Sequence, residues 1–181
     1  MESIGFLELN SIAKGIEAAD IILKTADTAL IFAKAVCPGK YNILFSGEVA
    51  AVQASMDAGV RLGGGAVVDS VVIPRVHPQV IQAVNQATVP GSVNAVGIME
   101  FFSIASAVLA ADAAAKAAEV DLVDVRLGTG IGGKSFVVLT GEVAAVRESV
   151  RCGEAGAAEK GMLLASVVIP SPRPEVFEAL Y

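Results

Sequence analysis

The sequence predicts an α/β fold of the α+β type, in which two small ferredoxin-like domains follow one another along the chain. The first observation is an internal repeat, because segments of the first half return in the same order in the second half. The second is the order of predicted elements in each copy, β-α-β-β-α-β, which is the ferredoxin-like arrangement. The third is composition: 54% of the 181 residues are hydrophobic. Small domains bury only a modest fraction of their own surface, so this apolar content indicates that the two domains are further buried by oligomerisation.

The repeat covers nearly the whole chain. Its clearest match is Gly-Glu-Val-Ala-Ala-Val, which stands at 47–52 and again at 141–146. The offset between equivalent positions is 92 residues at Gly5, 94 at Gly47 and 96 at Ile73. The second copy therefore carries two short insertions.

These offsets define the domain organisation. We expect a first domain over 1–86, a linker over 87–94 and a second domain over 95–181. Insertions collect in loops, so the stretches 126–134 and 153–163 are expected to be loops that are longer in the second copy.

Hydrophobic periodicity predicts the elements of the first copy. Its strands are expected at 4–9, 29–36, 41–46 and 67–73, and its helices at 11–25, 48–60 and 78–84. Apolar residues recur at helical spacing in the first helix and predict its buried face. These residues are Ile12, Ile16, Ala19 and Leu23. Ser11 and its duplicate Ser103 are expected to cap the first helix of each copy.

Charge and composition exclude several classes of protein. The net charge is −6 and the pI about 4.8, so the basic footprint of a nucleic-acid-binding protein is missing. The sequence contains no run of roughly 20 apolar residues such as a membrane span needs, and its start lacks the basic residues of a signal peptide. We expect a cytoplasmic protein. Two cysteines are too few for a disulfide framework.

Four motifs recur in register in both copies. They are Ala-Ala-Asp with a lysine four residues after the aspartate, a glycine-containing loop after the second strand, the Gly-Glu-Val-Ala-Ala-Val helix start, and Ile-Pro followed by arginine and proline. Together they resemble the bacterial microcompartment shell proteins, in their tandem-domain branch.

This resemblance implies a structural protein of the microcompartment shell rather than an enzyme. It implies a homotrimer whose six domains imitate a hexameric tile, with edge-to-edge contacts to other shell proteins. The loop between the second and third strands of each domain would line the central pore.

The resemblance also implies which residues form the tile edge. Lys24 and Lys116 are expected to face neighbouring tiles, and Arg75 follows Ile-Pro as in the edge motif of the family. In the second copy the arginine is displaced to Arg173, which weakens its assignment to the edge. Without the resemblance, a lysine near a helix C-terminus is read as a complement to the helix dipole.

The two expected pore loops differ. Their residues are Val36, Cys37, Pro38 and Gly39 in the first copy and Thr129, Gly130, Ile131 and Gly132 in the second. Because a proline holds the preceding residue extended and a glycine lets the chain turn back, Cys37 is expected at a loop tip. Lys40 could favour a nearby thiolate electrostatically.

Cubane iron–sulphur clusters usually need four thiolates, more than one chain supplies. The Cys-Pro-Gly-Lys loop is similar to that of the iron–sulphur-bearing shell trimers of propanediol-utilisation compartments. This implies one [4Fe–4S] cluster per trimer, held at the threefold pore by Cys37 of three subunits, that transfers electrons across the shell to or from encapsulated redox enzymes. Cys152, which replaces an alanine in a helix, is expected to be packed and inert.

Four alternatives stay open at this point. One is a shell tile with an empty pore for small-molecule transport, and a second is a tile that delivers or stores a cluster for the enzymes inside. The third is a soluble metabolite-binding regulatory trimer, and the fourth a free electron carrier. The sequence offers no nucleophile–base pair or metal-ligand spacing within a chain, and His77 is its one histidine.

Overall fold

The computed structural model describes residues 3–85 and 93–178. Each copy of the repeat folds into a four-stranded sheet with helices. The elements, in chain order, are β1 (Ser3–Leu9), α1 (Ile12–Thr25), β2 (Thr28–Val36), β3 (Lys40–Gly47), α2 (Val49–Gly63), β4 (Val67–Ile73), α3 (Pro78–Val84), β5 (Ala95–Phe101), α4 (Ile104–Ala117), β6 (Asp121–Leu127), β7 (Ser135–Gly141), α5 (Val143–Glu159), β8 (Leu163–Pro170) and α6 (Pro174–Glu178).

The sheets confirm the predicted ferredoxin-like arrangement. Their strand orders are β2-β3-β1-β4 and β6-β7-β5-β8, with every neighbouring pair antiparallel. The equivalent pairs Phe6–Leu44 and Ile98–Val138 show that the register is the same in both domains. Residues 87–92 of the expected linker lie outside the described residues.

The helices begin where the sequence places their caps. The Ser11 hydroxyl accepts from the Lys14 backbone N–H, and Ser103 accepts from that of Ser106. Such caps satisfy one of the free N–H groups of the first turn. In the part of the chain that the structure describes, no helix combines the length and the apolar content needed to cross a bilayer.

The predicted buried face of α1 is largely wrong. Of its four residues only Ala19 is buried, whereas Ile12, Ile16 and Leu23 are exposed; the other buried residues are Gly15, Ala18 and Ile22. The reason is the short distance between helix and sheet: a Cβ at Gly15 would lie 2.4 Å from the side chain of Tyr41. Three small residues and Ile22 therefore face the sheet, whereas Ile12, Ile16 and Leu23 face outward.

The second insertion is also not a loop. α5 has 17 residues where α2 has 15, and three residues connect each helix to its following strand. The two added residues therefore lengthen the helix. The first insertion does lengthen a loop, because seven residues, 128–134, connect β6 to β7 where three connect β2 to β3.

One of the apolar clusters spans both domains. It joins Phe6, Ile73 and Val80 of the first domain to Ile104 and Leu122 of the second. We call this contact, in which β4 and α3 of the first domain pack against α4 and β6 of the second, the internal seam. Nine of the 14 residues of α4 are buried, against four of the 14 in α1.

Candidate functional site

The first expected pore loop is a tight turn between β2 and β3. The Gly39 backbone N–H donates to the Val36 carbonyl at 2.9 Å, and Gly39 has a φ of +96°, which favours glycine. The Cys37–Pro38 peptide bond is cis. Cys37 therefore lies at the tip of a hairpin, and its thiol-bearing side chain is exposed.

The second expected pore loop is longer and shaped by glycines. Gly128, Gly130, Gly132 and Gly133 all have positive φ values, between 66° and 78°. Residues other than glycine rarely adopt this backbone conformation. Thr129, Gly130 and Gly132 are exposed and Ile131 is half-buried.

The two loops of one chain lie against each other. A Cβ at Gly133 would stand 2.5 Å from Pro38 Cδ and 3.0 Å from the Cys37 carbonyl oxygen. The Lys40 ammonium donates to the Gly133 carbonyl at 3.2 Å and to Glu8 Oε1 at 2.6 Å. Lys40 thus has a role that the sequence did not reveal, because it joins the cysteine turn to the loop of the other domain.

Glu8 makes contacts that sequence reasoning did not assign. It is fully buried, and besides Lys40 it accepts from the Ile104 backbone N–H at 2.9 Å and from the Ser103 hydroxyl at 3.3 Å. A carboxylate at a helix N-terminus complements the positive end of the helix dipole. Glutamate in a strand that is otherwise apolar was the available signal, since a buried charge needs a partner.

A polar cluster supports the same seam from β4. Asp69 accepts from the hydroxyls of Ser103 and Ser106 at 2.6 and 2.9 Å and from the Lys160 ammonium at 3.2 Å. Burial by itself would raise the pKa of Asp69, but these donors outweigh it and hold the pKa below the ordinary value of 3.8. Asp69 is therefore a carboxylate at neutral pH.

The two cysteines are in different environments. Cys152 is half-buried in α5, where its Sγ is 3.4 Å from Glu148 Oε1. Burial, together with the Glu148 carboxylate, raises the pKa of the Cys152 thiol, which favours the inert form. Cys37 is the exposed one. Within the ranges described, one chain has no cluster of three or more His, Cys, Asp or Glu residues that could hold a metal ion.

The expected edge residues lie on the surface. Lys24 pairs with Asp20 in α1, and Lys116 pairs with the buried Asp112 in α4. Arg75 is exposed, with a φ of 50°. Its duplicate Ser171, at +96, has a φ of 49°, so the backbone turn is conserved between copies although the arginine is not.

Comparison with known proteins identifies the family of both domains. The BMC domain profile matches residues 3–76 and 95–172. The chain is 41% identical, over 99% of its length and 97% of the relative, to the bacterial microcompartment shell protein PduT of Citrobacter freundii. A match of 35% identity to the shell protein PduA of the same organism covers 44% of this chain and 87% of PduA.

Two solved structures of microcompartment proteins resemble this chain. The crystal structure of a microcompartment protein from Desulfitobacterium hafniense DCB has a TM-score of 0.87 and 55% identity, and the match covers 98% of this chain and 99% of that one. A fused permuted hexameric shell protein of the RMM microcompartment has a TM-score of 0.65 and 26% identity, over 86% of this chain and 81% of that one. PduT, PduA and the RMM protein are shell proteins. The chain belongs to the BMC-domain family of bacterial microcompartment shell proteins.

Proposed function

We propose that this shell protein forms a homotrimeric tile with a [4Fe–4S] cluster at its threefold axis, bound by Cys37 of each of the three subunits. The observation that carries the proposal is the exposed thiol at the tip of the β2–β3 hairpin. One chain offers one such thiol, and a ring of three chains would offer three. A cubane cluster is usually bound through thiolates, so the donor type fits.

The apolar surfaces of the chain support a ring. α1 and β2 expose Ile12, Ile16, Leu23, Leu30 and Ile31 on one side, and β8 and α6 expose Leu164, Val167 and Val176 on the other. We call these the first and second outer surfaces. They are the duplicates of the elements that meet in the internal seam.

Equivalent residues show how different the two environments are. Ile16 is 56% exposed where its duplicate Val108 is fully buried in the seam, and Val176 is 52% exposed where Val80 is fully buried. The first outer surface of one copy therefore complements the second outer surface of another. Such a head-to-tail contact closes into a ring when its rotation permits, and three two-domain chains imitate a six-domain tile.

In the tile, Lys24, Lys116 and Arg75 are the proposed contacts to neighbouring shell proteins, and the loops at 36–39 and 129–132 are the proposed pore lining. The cluster, when bound, would supply a one-electron redox centre at this pore. Cys37 would bind it, and the contact of Lys40 and Gly133 would hold the Cys37 turn in place. The proposed role is electron transfer across the shell, with encapsulated redox enzymes as partners.

The test is to purify the protein anaerobically and to count iron and acid-labile sulphide per trimer, with the oligomer measured by sedimentation. We expect about four irons and four sulphides per trimer, and their loss in Cys37→Ser. Cys152→Ser is the matched control and should keep the cluster. Flat sheets in electron micrographs test the tile.

The outcomes separate the two parts of the proposal. Trimers that lack iron in both the parent and Cys37→Ser would contradict the cluster and leave a tile with an open pore for small molecules. A chain that stays monomeric at high concentration would contradict the tile.

A further inference from the structure

The internal seam contains a set of polar contacts that Glu8 and Lys40 make to Ser103, Ile104 and Gly133. We call this set the clasp. Glu8 accepts from the first backbone N–H of α4, at Ile104, and from the Ser103 hydroxyl. Lys40 pairs with Glu8 and donates to the carbonyl of Gly133 in the loop of the other domain. One ion pair thus holds both a helix N-terminus and a loop across the seam.

The second domain carries a duplicate of this ion pair without the corresponding partners. Glu100 and Lys134, which duplicate Glu8 and Lys40, pair with each other. Where Glu8 is fully buried and Lys40 is 16% exposed, the side chains of Glu100 and Lys134 are 33% and 43% exposed. In the described part of the chain, neither contacts a helix N-terminus or a loop carbonyl of the first domain.

The first domain carries the duplicates of the missing partners, and they are accessible. Ser11 and Ile12 duplicate Ser103 and Ile104; Ile12 is 43% exposed and Ile104 is fully buried. Gly39 duplicates Gly133 and shares its left-handed backbone, with φ values of +96° and +77°. A Cβ at Gly133 would meet the other loop, whereas one at Gly39 would meet nothing within 4 Å.

We propose that Glu100 and Lys134 form the same clasp between subunits, on a second copy of this chain. Glu100 accepts from the Ile12 backbone N–H and the Ser11 hydroxyl of the neighbouring copy, and Lys134 donates to the Gly39 carbonyl of that copy. The inference rests on the proposed trimer and extends it, since it assigns the polar contacts that accompany the apolar outer surfaces.

The clasp has a consequence for the pore. The residue that Lys134 reaches is in the turn that carries Cys37, so each subunit holds the cysteine turn of its neighbour. Glu100 and Lys134 are then positioning residues for this turn, although they lie in the other domain of another chain.

A further contact follows from the same comparison of duplicates. Asp112 accepts from the His77 backbone N–H across the internal seam. Its duplicate Asp20 then accepts in the same way from the neighbouring copy.

The test is subunit exchange between unlabelled and ¹⁵N-labelled trimers, followed by native mass spectrometry. Glu100→Gln should accelerate exchange by at least about tenfold, because each interface loses hydrogen bonds to a charged acceptor. The matched control is Glu148→Gln, which removes the same charge from an exposed ion pair with Arg151 on α5. It should exchange at the rate of the parent.

A second variant tests the loop contact. In Lys134→Met, backbone amides of the segment 37–41 should exchange hydrogen faster within intact trimers, whereas Arg151→Met, which removes an exposed cation on α5, should leave that segment unchanged. The clasp would be overturned, and the trimer kept, if two results were found together. Glu100→Gln trimers would exchange subunits at the rate of the parent, and the segment 37–41 of Lys134→Met would exchange hydrogen at the rate of the parent. A parent protein that is monomeric would instead contradict the proposed tile.

Discussion

At the scale of single residues, carboxylates in the internal seam decide how the two domains are held. Asp69 lies on β4 and receives three donors from the second domain: Ser103, Ser106 and Lys160. Hydrogen bonds to a charged acceptor stabilise more than neutral ones. The stabilisation by Asp69 therefore depends on its ionisation, and hence on pH.

Asp69→Asn should lower the free energy of unfolding at pH 7 by about 1–3 kcal/mol. Since the folded state lowers the pKa of Asp69 below 3.8, the unfolded chain binds this proton at the higher pH. The stabilisation is present above about pH 4 and disappears as the pH falls through the folded-state pKa. Urea titrations at pH 7 and near pH 3, at fixed protein concentration, measure this difference.

The control is Asp57→Asn, an exposed aspartate on α2. Its stability difference from the parent should be small at both pH values. A deficit of Asp69→Asn that stays constant down to pH 3 would show that the carboxylate charge is not what stabilises the seam.

At the scale of elements, α1 and α4 show that one sequence pattern can serve two environments. Both helices have 14 residues, a serine cap and an Asp–Lys pair. α4 is covered by elements of the other domain, whereas α1 is not. Periodicity identified Ile12 and Ile16 as apolar positions and predicted one buried face. Their burial depends on a second layer that no local pattern in the sequence reports.

Ile16→Asp and Val108→Asp form a matched pair for this difference. In the isolated chain Ile16 is 56% exposed and Val108 fully buried. Ile16→Asp should leave the domain folded but abolish the trimer, because a charge enters the proposed contact between subunits. Val108→Asp should prevent folding, because an unpaired charge enters the core.

Circular dichroism and sedimentation velocity distinguish these results. A folded, fully trimeric Ile16→Asp would contradict the assignment of the first outer surface to the contact between subunits. A stable, folded Val108→Asp would contradict the packing of the internal seam.

At the scale of the whole molecule, the repeat made the fold predictable from sequence. Matched motifs located both sheets, and Pro38 with Gly39 correctly predicted a turn with Cys37 at its tip. The seam was not predictable, because Glu8 and its partner Ile104 are 96 residues apart. Local patterns identify elements and turns, whereas contacts between the two copies depend on how the domains are placed.

The apolar cluster that spans both domains predicts that they unfold together. Val80 of α3 is fully buried in the cluster that includes Ile104 and Leu122 of the second domain, and loss of either domain would expose it. Val80→Ala removes two methyl groups and should cost on the order of 2 kcal/mol through the cavity it leaves. Hydrogen-exchange mass spectrometry during thermal unfolding should then show β1–β4 and β5–β8 losing protection at one midpoint, lowered equally in both. Separate midpoints, with only the first sheet affected by Val80→Ala, would mean that the internal seam joins two independent folding units.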